Sequence, residues 1–432
     1  MNNILGIRRE DKHQWERRVP ITPEHVKELK EKHKIQTIVQ PSPIRVFSNE
    51  EYQNSGAIVK ENLIDCSVIF AVKEIPIDFF EPWKTYIFFS HTIKGQKYNM
   101  PMLKKMIELG CNLIDYEKIA DEKNRRLVFF GRYAGLAGMI DTLWTYGQRL
   151  KWMGINNPLS KIKRTIDYKD LDETKEHFKN IGRKIEQDGF HESITPMVVG
   201  FAGYGNVSKG AQEILDILPV REVRPRQLEA VYNNPSNKFV YKVVFKEEDM
   251  VEPVSSEKQF DLQDYYDNPH FYRSIFQQYL NRLSILMNCI YWDDRYPRLI
   301  TKREFELIYT RLQKLQVIGD ISVDINGAIE FTERSSTPGD PVFVYNPVRD
   351  DIIEGFAGEG VAVMAVDALP CELPLESSQA FSKSLMPFIP SIINADFSVK
   401  FEKLDLPDEI KKAVILHQGR LTPNYEYINK FL

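Results

Sequence analysis

Short apolar runs alternate with amphipathic segments over the first 120 residues of this 432-residue chain. Five such runs predict buried strands, at 4–9, 37–41, 67–73, 85–91 and 112–116. The segments 23–33 and 99–110 have helical periodicity, and Thr22, Pro23 and Gly110 supply their start and stop signals. Apolar strands separated by amphipathic helices predict a parallel sheet that is covered on both faces.

A second block of similar pattern follows the segment 134–154, which is apolar on most sides and predicts a buried helix. The block begins with the apolar run 197–203. Further patterns predict strands at 286–292, 315–322 and 329–333 and helices at 377–389 and 407–418. Residues 156–190 are charged with little periodicity, and 233–275 is interpreted as a loop-bearing insertion. The order of elements predicts the α/β class, with two Rossmann-like domains, parallel sheets and an intervening cleft.

The stretch 197–218 joins an apolar strand to an amphipathic helix through a glycine-rich turn. Gly203 permits the tight turn, Gly205 allows a pyrophosphate to approach the backbone, and the start of the helix offers N–H donors to that anion. With Gly210 the spacing is GxGxxxxG rather than GxGxxG, so an ordinary strand–helix turn stays open as an alternative.

The segment after this helix lacks the acidic residue that usually binds a ribose diol. It carries Arg221, Arg224 and Arg226 instead, which suit the 2′-phosphate of NADP. A solvated basic turn is the alternative interpretation. The sequence therefore favours NADPH, with NAD as the other candidate.

Composition excludes several classes of function. The net charge of −4 gives no general attraction to nucleic acid or to anionic membranes, and no run of about 18 apolar residues predicts a membrane span. The four cysteines are far apart in sequence, and the eight histidines show no spacing typical of a metal site, so we expect no metal. The first residues do not resemble a secretory signal, which favours a cytoplasmic protein.

Polar residues follow several predicted strands of the first block. They are Glu16 and Arg18 after the first strand, Lys73 at the end of 67–73, His91 at the end of 85–91 with Lys94 close behind, and Glu117 after 112–116. Each alone is typical of a protein surface. Because ligands bind beyond the carboxyl ends of parallel strands, their shared position indicates one site. Lys73 and His91 end neighbouring runs, so we expect each to depress the pKa of the other.

Eight motifs occur in order: RREDKHQWERRVPITPEHV, VKEIP, YIFFSHTIKGQ, LIDYEKIAD, RRLVFFGRYAGLAGMID, GYGNVSKGAQEILDILP, NCIYWDDRYPRLIT and GDISVDINGAIEF. With them the chain resembles the lysine–ketoglutarate reductase module of the aminoadipic semialdehyde synthases. It is similar, more distantly, to the fungal lysine-forming saccharopine dehydrogenases, within the alanine dehydrogenase and transhydrogenase superfamily. The resemblance implies a stand-alone reductase that condenses L-lysine with 2-oxoglutarate, with NAD(P)H as reductant, to give saccharopine.

The resemblance also implies roles for individual residues, by position in the motifs. Lys73 matches a general base and His91 a general acid. The implied substrate-binding residues are Glu16, Arg18, Lys94, Glu117 and Phe130. The implied cofactor-binding residues are Arg126, Gly203, Gly205, Asn206, Asp320 and Ser322, with Arg125 in the stretch between the two groups.

The resemblance and the late elements predict a discontinuous first domain, 1–132 plus 325–432, with the dinucleotide-binding domain at 133–324. Two other functions stay open: an alanine dehydrogenase-like enzyme, whose pocket would be smaller, and a non-catalytic dinucleotide-binding regulator, which would need neither Lys73 nor His91. The sequence does not fix the oligomeric state, for which a homodimer is the candidate.

Overall fold

The computed structural model describes residues 3–309 and 314–432. The chain forms two compact units: unit 1 is Met1–Phe130 with Pro374–Leu432, and unit 2 is Gly131–Leu373. The strands are β1 (Ile4–Ile7), β2 (Gln36–Val39), β3 (Ile58–Val59), β4 (Val68–Phe70), β5 (Thr85–Phe88), β6 (Asn112–Asp115), β7 (Met197–Ala202), β8 (Val220–Val223), β9 (Val240–Phe245), β10 (Val251–Pro253), β11 (Tyr272–Ser274), β12 (Ile285–Asn288), β13 (Val317–Asp320), β14 (Val342–Asn346), β15 (Asp351–Glu354), β16 (Val361–Met364), β17 (Val414–His417) and β18 (Arg420–Leu421).

The helices are α1 (Pro23–His33), α2 (Asn49–Asn54), α3 (Met100–Glu108), α4 (Gly131–Trp152), α5 (Leu171–Asp188), α6 (Asn206–Leu215), α7 (Leu228–Asn233), α8 (Glu247–Met250), α9 (Leu262–Asp267), α10 (Lys302–Tyr309), α11 (Pro374–Leu385), α12 (Ile389–Asn394) and α13 (Asp408–Lys411). None of the helices in the described part of the chain combines the length and apolar content that a bilayer crossing requires.

Unit 1 is built on an eight-stranded sheet in the order β18-β17-β6-β5-β4-β1-β2-β3. In this order, the strands from β3 to β6 run parallel to one another. At the edge beside β6, β17 runs antiparallel to β6, and β18 runs antiparallel to β17. From β1 the chain builds outward to β3 on one side and then from β4 to β6 on the other. The strand order therefore reverses between β1 and β4, which is where open α/β sheets bind ligands.

Unit 2 contains a second eight-stranded sheet, in the order β15-β14-β16-β13-β12-β7-β9-β8. In this order, the strands from β16 to β8 run parallel to one another. Strand β14 runs antiparallel to β16, and β15 runs antiparallel to β14. Its strand order reverses between β7 and β12. The prediction of an α/β fold with two Rossmann-like domains is confirmed, with antiparallel strands added at one edge of each sheet.

Most predicted elements occur where the pattern placed them, and the local signals explain their ends. The α1 helix begins after Thr22, whose side chain accepts a hydrogen bond from the backbone N–H of His25, and ends at Lys34 in the left-handed conformation. The buried helix predicted over 134–154 is α4, in which most side chains are buried.

Three local predictions were wrong, and one helix was not predicted. The charged segment 156–190 contains α5, and the supposed insertion 233–275 contains β9, which lies beside β7 inside the sheet. The stretch 329–333 is not a strand, and the helix predicted at 407–418 is divided into α13 and the buried strand β17. The charged Lys242 interrupts the apolar pattern of β9, so the sequence did not predict this strand. Lys242 is buried, and its ammonium group contacts Asp216 and Glu222 on neighbouring elements.

The chain re-enters unit 1 at Pro374, not near residue 325 as the sequence had suggested. Residues 325–373 contribute β14, β15 and β16 to the sheet of unit 2. These strands are short apolar runs separated by Gly- and Pro-rich turns, so their pattern alone does not assign them to either sheet. At the other end of unit 2, the boundary at Gly131 lies within two residues of the predicted one.

Two glycines allow α4 and α6 of unit 2 to pack with their backbones in contact. A Cβ atom on Gly135 would lie 2.0 Å from the carbonyl oxygen of Val207, and one on Gly210 would lie 2.1 Å from that of Arg132. Real Cβ atoms do not approach an oxygen so closely, and both partner atoms belong to the backbone. Gly210, the third glycine of the sequence motif, is therefore required for helix packing.

We expect Gly210→Ala to lower the thermal unfolding midpoint, because α4 and α6 must separate to accept the methyl group. Overpacking of this kind costs about 1–3 kcal/mol. Gly182→Ala in α5 is the matched control, since the nearest atom to its added Cβ lies at 3.4 Å. There the higher helix propensity of alanine should raise stability by up to about 1 kcal/mol. Equal midpoints for the two variants would contradict the packing role.

Two carboxyl groups, Asp141 on α4 and Glu372, lie side by side in the interior of unit 2. Asp141 accepts hydrogen bonds from the backbone N–H of Thr165 at 2.8 Å and from its hydroxyl at 3.0 Å. The carboxyl group of Glu372 lies within hydrogen-bonding reach of Asp141 and Thr165. Burial raises the pKa of both carboxyl groups, and each carboxylate would repel the other. The pair therefore retains a proton to a higher pH than two separate, solvated carboxyl groups would.

Because both folded-state pKa values lie above the unfolded ones, the folded state binds protons more tightly. The free energy of unfolding should therefore fall as the pH rises from about 5, through the range in which the pair loses its proton. Glu372→Gln should reduce this slope and raise the unfolding midpoint at pH 8. The control is Glu359→Gln, which changes an exposed carboxylate of the same unit. Identical pH dependence in wild type and Glu372→Gln would exclude a shared proton.

Candidate active site

The carboxyl ends of β1, β4 and β5 bring the predicted polar residues of unit 1 together. Arg18 and Glu16 lie in the loop after β1, Lys73 follows β4, and His91 follows β5. Strands β1 and β4 are neighbours at the reversal of strand order, and β5 is next to β4. The location agrees with the general position of ligand sites in open α/β sheets.

Glu16 and Arg18 form a buried ion pair. The Arg18 guanidinium donates from Nε to Glu16 Oε1 at 2.7 Å and from Nη2 to Oε2 at 2.5 Å. The side chain of Arg18 is 3% exposed and that of Glu16 is 0% exposed. The ring of Phe130 lies 4.3 Å from the guanidinium carbon and stacks on Phe381. Burial opposes ionisation of Glu16, but the charge and hydrogen bonds of Arg18 outweigh it, so the pKa of Glu16 is lowered.

Lys73 carries an amine whose pKa is lowered. Burial is the largest cause, and the positive charge of Arg18 adds to it, while Glu16 acts in the opposite direction. A lysine with a lowered pKa can accept a proton nearer to neutral pH than a solvated lysine can.

His91 contacts a carboxylate that the sequence interpretation did not identify. Its Nδ1 lies 2.6 Å from Oε1 of Glu74, and Oε2 of Glu74 accepts a hydrogen bond from Lys12 at 2.9 Å. Burial disfavours a charged Glu74, but its hydrogen bonds to His91 and Lys12 prevail and lower its pKa. The pKa of Lys73 is thus lowered by burial and Arg18 rather than by His91 as expected, and His91 contacts Glu74.

The loop of His91 is held in a strained conformation by distant residues. His91 has φ of 48°, in the left-handed region that favours glycine, and its carbonyl oxygen accepts a hydrogen bond from Asn99 at 3.2 Å. Near the end of the chain, Tyr427 donates to the carbonyl oxygen of Ile93 at 2.7 Å. The ring of Phe431 packs on Gly95 so closely that a Cβ there would lie 2.5 Å from it.

The remaining predicted residues of unit 1 lie further from this centre of contacts. Glu117 forms an ion pair with Arg126 at 2.6 Å, and Arg125 pairs with Asp121. Lys94 is exposed, and its side chain makes no hydrogen bond or ion pair among the described residues. Substrate binding by Lys94 and Glu117 and cofactor binding by Arg126 therefore stay predictions.

In unit 2 the glycine-rich turn has the geometry that a dinucleotide requires. Gly203 follows β7 with φ of 92°, and its N–H donates to the carbonyl oxygen of Phe245 at 3.1 Å. Gly205 precedes α6, and a Cβ on it would meet no atom within 4 Å. The space before Asn206 and the first N–H groups of α6 is thus open, which fits a pyrophosphate.

The strand beside β7 differs from the one assumed in the sequence interpretation. It is β9, and β8 lies at the edge. Glu247 follows β9 and accepts hydrogen bonds from the hydroxyls of Tyr266 at 2.8 Å and Tyr204 at 3.5 Å. An acidic residue at the end of the strand next to the glycine turn is the usual ribose ligand. Of the three predicted arginines, Arg221 lies in β8 with its guanidinium 4.4 Å from the ring centre of Phe239.

Asp320 is the last residue of β13 and Ser322 follows it, and both side chains form hydrogen bonds inside unit 2. The carboxylate of Asp320 accepts hydrogen bonds from Asn288 at 2.9 Å and Thr332 at 2.7 Å, and burial raises its pKa to about 6. Ser322 donates to the carbonyl oxygen of Ile290 at 2.5 Å. Both residues therefore stabilise the loops at the carboxyl end of the sheet.

The chain is similar to known proteins over nearly its whole length. Residues 6–137 match the N-terminal domain of alanine dehydrogenase/PNT, and residues 200–424 match the C-terminal domain. Alpha-aminoadipic semialdehyde synthase of Arabidopsis thaliana is 36% identical, over 99% of this chain and 41% of the plant protein. The mitochondrial enzyme of Mus musculus is 32% identical, over 99% of this chain and 48% of the mouse protein. The chain therefore spans less than half the length of these relatives.

Shorter relatives align from end to end. Saccharopine dehydrogenase [NAD(+), L-lysine-forming] of Yarrowia lipolytica is 25% identical, over 89% of this chain and 90% of the fungal protein. An L-alanine dehydrogenase structure superposes with a TM-score of 0.64 at 17% identity, covering 99% of this chain and 100% of that one. A transhydrogenase from Sinorhizobium meliloti gives 0.57 at 13% identity, covering 98% and 100%. The resemblance inferred from the motifs is confirmed, and the chain belongs to the alanine dehydrogenase/PNT family.

Proposed function

We propose that the chain is a lysine–2-oxoglutarate reductase, which condenses L-lysine with 2-oxoglutarate to saccharopine at the expense of a reduced nicotinamide dinucleotide. The observation that carries the proposal is the cluster at the ends of β1, β4 and β5. It combines an amine of lowered pKa, Lys73, with the Glu16–Arg18 pair and the His91–Glu74 pair. The names of the plant, mammalian and fungal relatives support the choice of substrates.

Lys73 is proposed as the general base. The ε-amine of the substrate lysine must lose a proton before it attacks the C2 carbonyl of 2-oxoglutarate. The lowered pKa of Lys73 increases the neutral fraction of its amine at any given pH, which favours acceptance of this proton. The attack forms a C–N bond and gives a carbinolamine.

His91 is proposed as the general acid. The carbinolamine must lose its hydroxyl group as water to give the imine, and this step needs a proton. Glu74 contacts Nδ1 of His91, which fixes the ring and leaves Nε2 for the substrate. A bound nicotinamide supplies the hydride that reduces the imine carbon to the secondary amine of saccharopine.

The two substrates carry three carboxylates, which call for cationic groups. Arg18 and Lys94 are proposed to bind them. Glu16 and the ring of Phe130 hold the Arg18 guanidinium in place, so these three residues work together. Glu16 and Glu117 are proposed to face the amine side of the substrate.

In unit 2, Gly203, Gly205 and Asn206 are proposed to hold the pyrophosphate of the cofactor, on account of the open space before α6. Asp320 and Ser322 are proposed to support the cofactor through the loop after β13. Arg126, paired with Glu117, is proposed as a further cofactor contact.

We expect Lys73→Met and His91→Gln each to lower kcat by about 10² or more, because each removes one proton transfer. The dissociation constant of NADPH, measured by fluorescence titration, should be unchanged, since neither residue is among the proposed cofactor contacts. The double variant should lose less than the product of the single losses if the residues act as one unit.

The matched control is Lys97→Met, which removes an exposed lysine of the same unit. Turnover should require lysine, 2-oxoglutarate and reduced cofactor together. Turnover with pyruvate and ammonia instead would favour the alanine dehydrogenase-like alternative, and cofactor binding without any turnover would favour the regulator. Near-wild-type kcat in either single variant would remove that residue from the mechanism.

The choice of cofactor rests on two sets of charges. The basic segment after α6 predicts that NADPH supports a higher kcat/KM than NADH, since one charge-assisted contact to the 2′-phosphate contributes about 1.5–3 kcal/mol. Glu247 at the end of β9 opposes this preference, because a carboxylate repels a phosphate. The joint variant Arg224→Ala/Arg226→Ala should therefore lower the NADPH:NADH ratio, and Glu247→Gln should raise it. A wild-type preference for NADH that Glu247→Gln reverses would contradict the prediction from the arginines.

A further inference from the structure

Glu10 occupies a position in unit 1 that the proposed mechanism does not use. It lies in the loop after β1 and is 6% exposed. Its Oε1 accepts a hydrogen bond from the backbone N–H of Val72 at 2.7 Å, and its Oε2 accepts one from the N–H of Lys73 at 3.0 Å. One carboxylate thus binds two successive N–H groups, a geometry in which the residues that donate have little freedom to move.

These two N–H groups lie where the ladder between β1 and β4 ends. The strands pair through Ile7 and Phe70, and the N–H of Arg8 donates to the carbonyl oxygen of Phe70 at 2.9 Å. The register of the two strands ends there, and in the described part of the chain the N–H groups of residues 72 and 73 donate to Glu10 rather than to β1. The Glu10 carboxylate takes the place of the missing strand.

The same segment carries one group of the proposed proton transfers and the residue that contacts the other. Lys73 is the proposed base, and the next residue, Glu74, binds Nδ1 of His91. A shift of the backbone at Val72 and Lys73 therefore moves both. Rate constants respond steeply to such shifts, since a misplacement of about 1 Å can cost about a hundredfold.

We propose that Glu10 is a positioning residue of the active site, whose carboxylate fixes the backbone of Val72 and Lys73 and thereby the Lys73 amine and the His91–Glu74 pair. The catalytic part of this inference rests on the proposed function. The structural part, that the Glu10 carboxylate holds the two N–H groups in solution, does not depend on it.

The charge of Glu10 makes its role measurable. Burial and the nearby Glu16 carboxylate raise the pKa of Glu10 to about 7, against the opposing effect of the two N–H donors. The charged or titratable groups around it are Arg8 and Glu16 on its own loop, Lys73 after β4 and Tyr116 after β6. Protonation below this pKa removes the charge from both hydrogen bonds, so the segment should loosen and kcat should fall on the acid side.

Stability should respond in the opposite direction. Because the folded-state pKa of Glu10 lies above its unfolded value, ionised Glu10 lowers the free energy of unfolding as the pH rises through about 7. Replacement by Gln removes the charge but keeps only one acceptor oxygen for the two N–H groups, so the gain and the loss of stability at pH 8 oppose each other while activity falls. A residue with a purely structural role would lose both together.

The experiment compares wild type, Glu10→Gln, Glu10→Asp and the control Glu61→Gln, which changes an exposed carboxylate paired with Arg9. We expect kcat of Glu10→Gln at pH 8 to fall by about tenfold to a hundredfold, with an unfolding midpoint that stays well above the assay temperature and without the acid limb near pH 7. Glu10→Asp, which keeps the charge but cannot span both N–H groups, should lose activity and keep an acid limb. Glu61→Gln should match wild type.

An NMR titration tests the contact without any turnover. In wild type the amide resonances of Val72 and Lys73 should shift together with a midpoint near pH 7, and in Glu10→Gln they should not. Absence of that shared titration in wild type, or a Glu10→Gln variant with wild-type kcat and pH profile, would overturn the inference. If wild type does not turn over lysine and 2-oxoglutarate, the proposed function fails, and the amide titration alone decides whether Glu10 holds the segment.

Discussion

The buried ion pair of Glu16 and Arg18 is the interaction on which the rest of the site in unit 1 depends. Removing two charges from water is costly, and the cost is offset only when the geometry is good and the remaining polar atoms are satisfied. Here two hydrogen bonds join the pair, and the stacked rings of Phe130 and Phe381 cover it. Burial and the charge of Arg18 lower the pKa of Lys73, and burial and the charge of Glu16 raise the pKa of Glu10. The loop after β1 thus shifts the pKa of Lys73 on the segment after β4 and of Glu10 within the loop itself.

The sequence was informative where a residue acts through its own type and local pattern. Lys73 and His91 could be identified because each follows an apolar strand, and the strand order then places both ends on one edge of the sheet. Gly203 and Gly205 could be identified from a turn between a strand and a helix. The limits of α1 followed from Thr22 and Pro23, because capping depends on neighbours in sequence.

The residues that the sequence did not reveal act through partners far along the chain. Glu74 stands directly after Lys73, but only its distance to His91 gives it a role. Glu10 is one of several acidic residues in a charged loop, and its contact with Val72 joins positions 62 residues apart. Glu247 was hidden because β9, with the buried Lys242 at its centre, did not look like an internal strand. Pairings of this kind depend on strand order, which periodicity does not determine.

The two-segment construction of unit 1 has a consequence for the order in which the protein is made. At about 5–20 residues per second, a ribosome needs on the order of tens of seconds to synthesise the continuous unit 2 after Phe130 has emerged. During that time β6 lacks its neighbour β17, so the backbone N–H of Asp115 cannot yet donate to the carbonyl oxygen of Ala413. The bond from Tyr427 to the His91 loop forms later still. Unit 2 can therefore complete its fold before unit 1 does, whereas the loop of His91 reaches its final form only after Tyr427 and Phe431 have been synthesised.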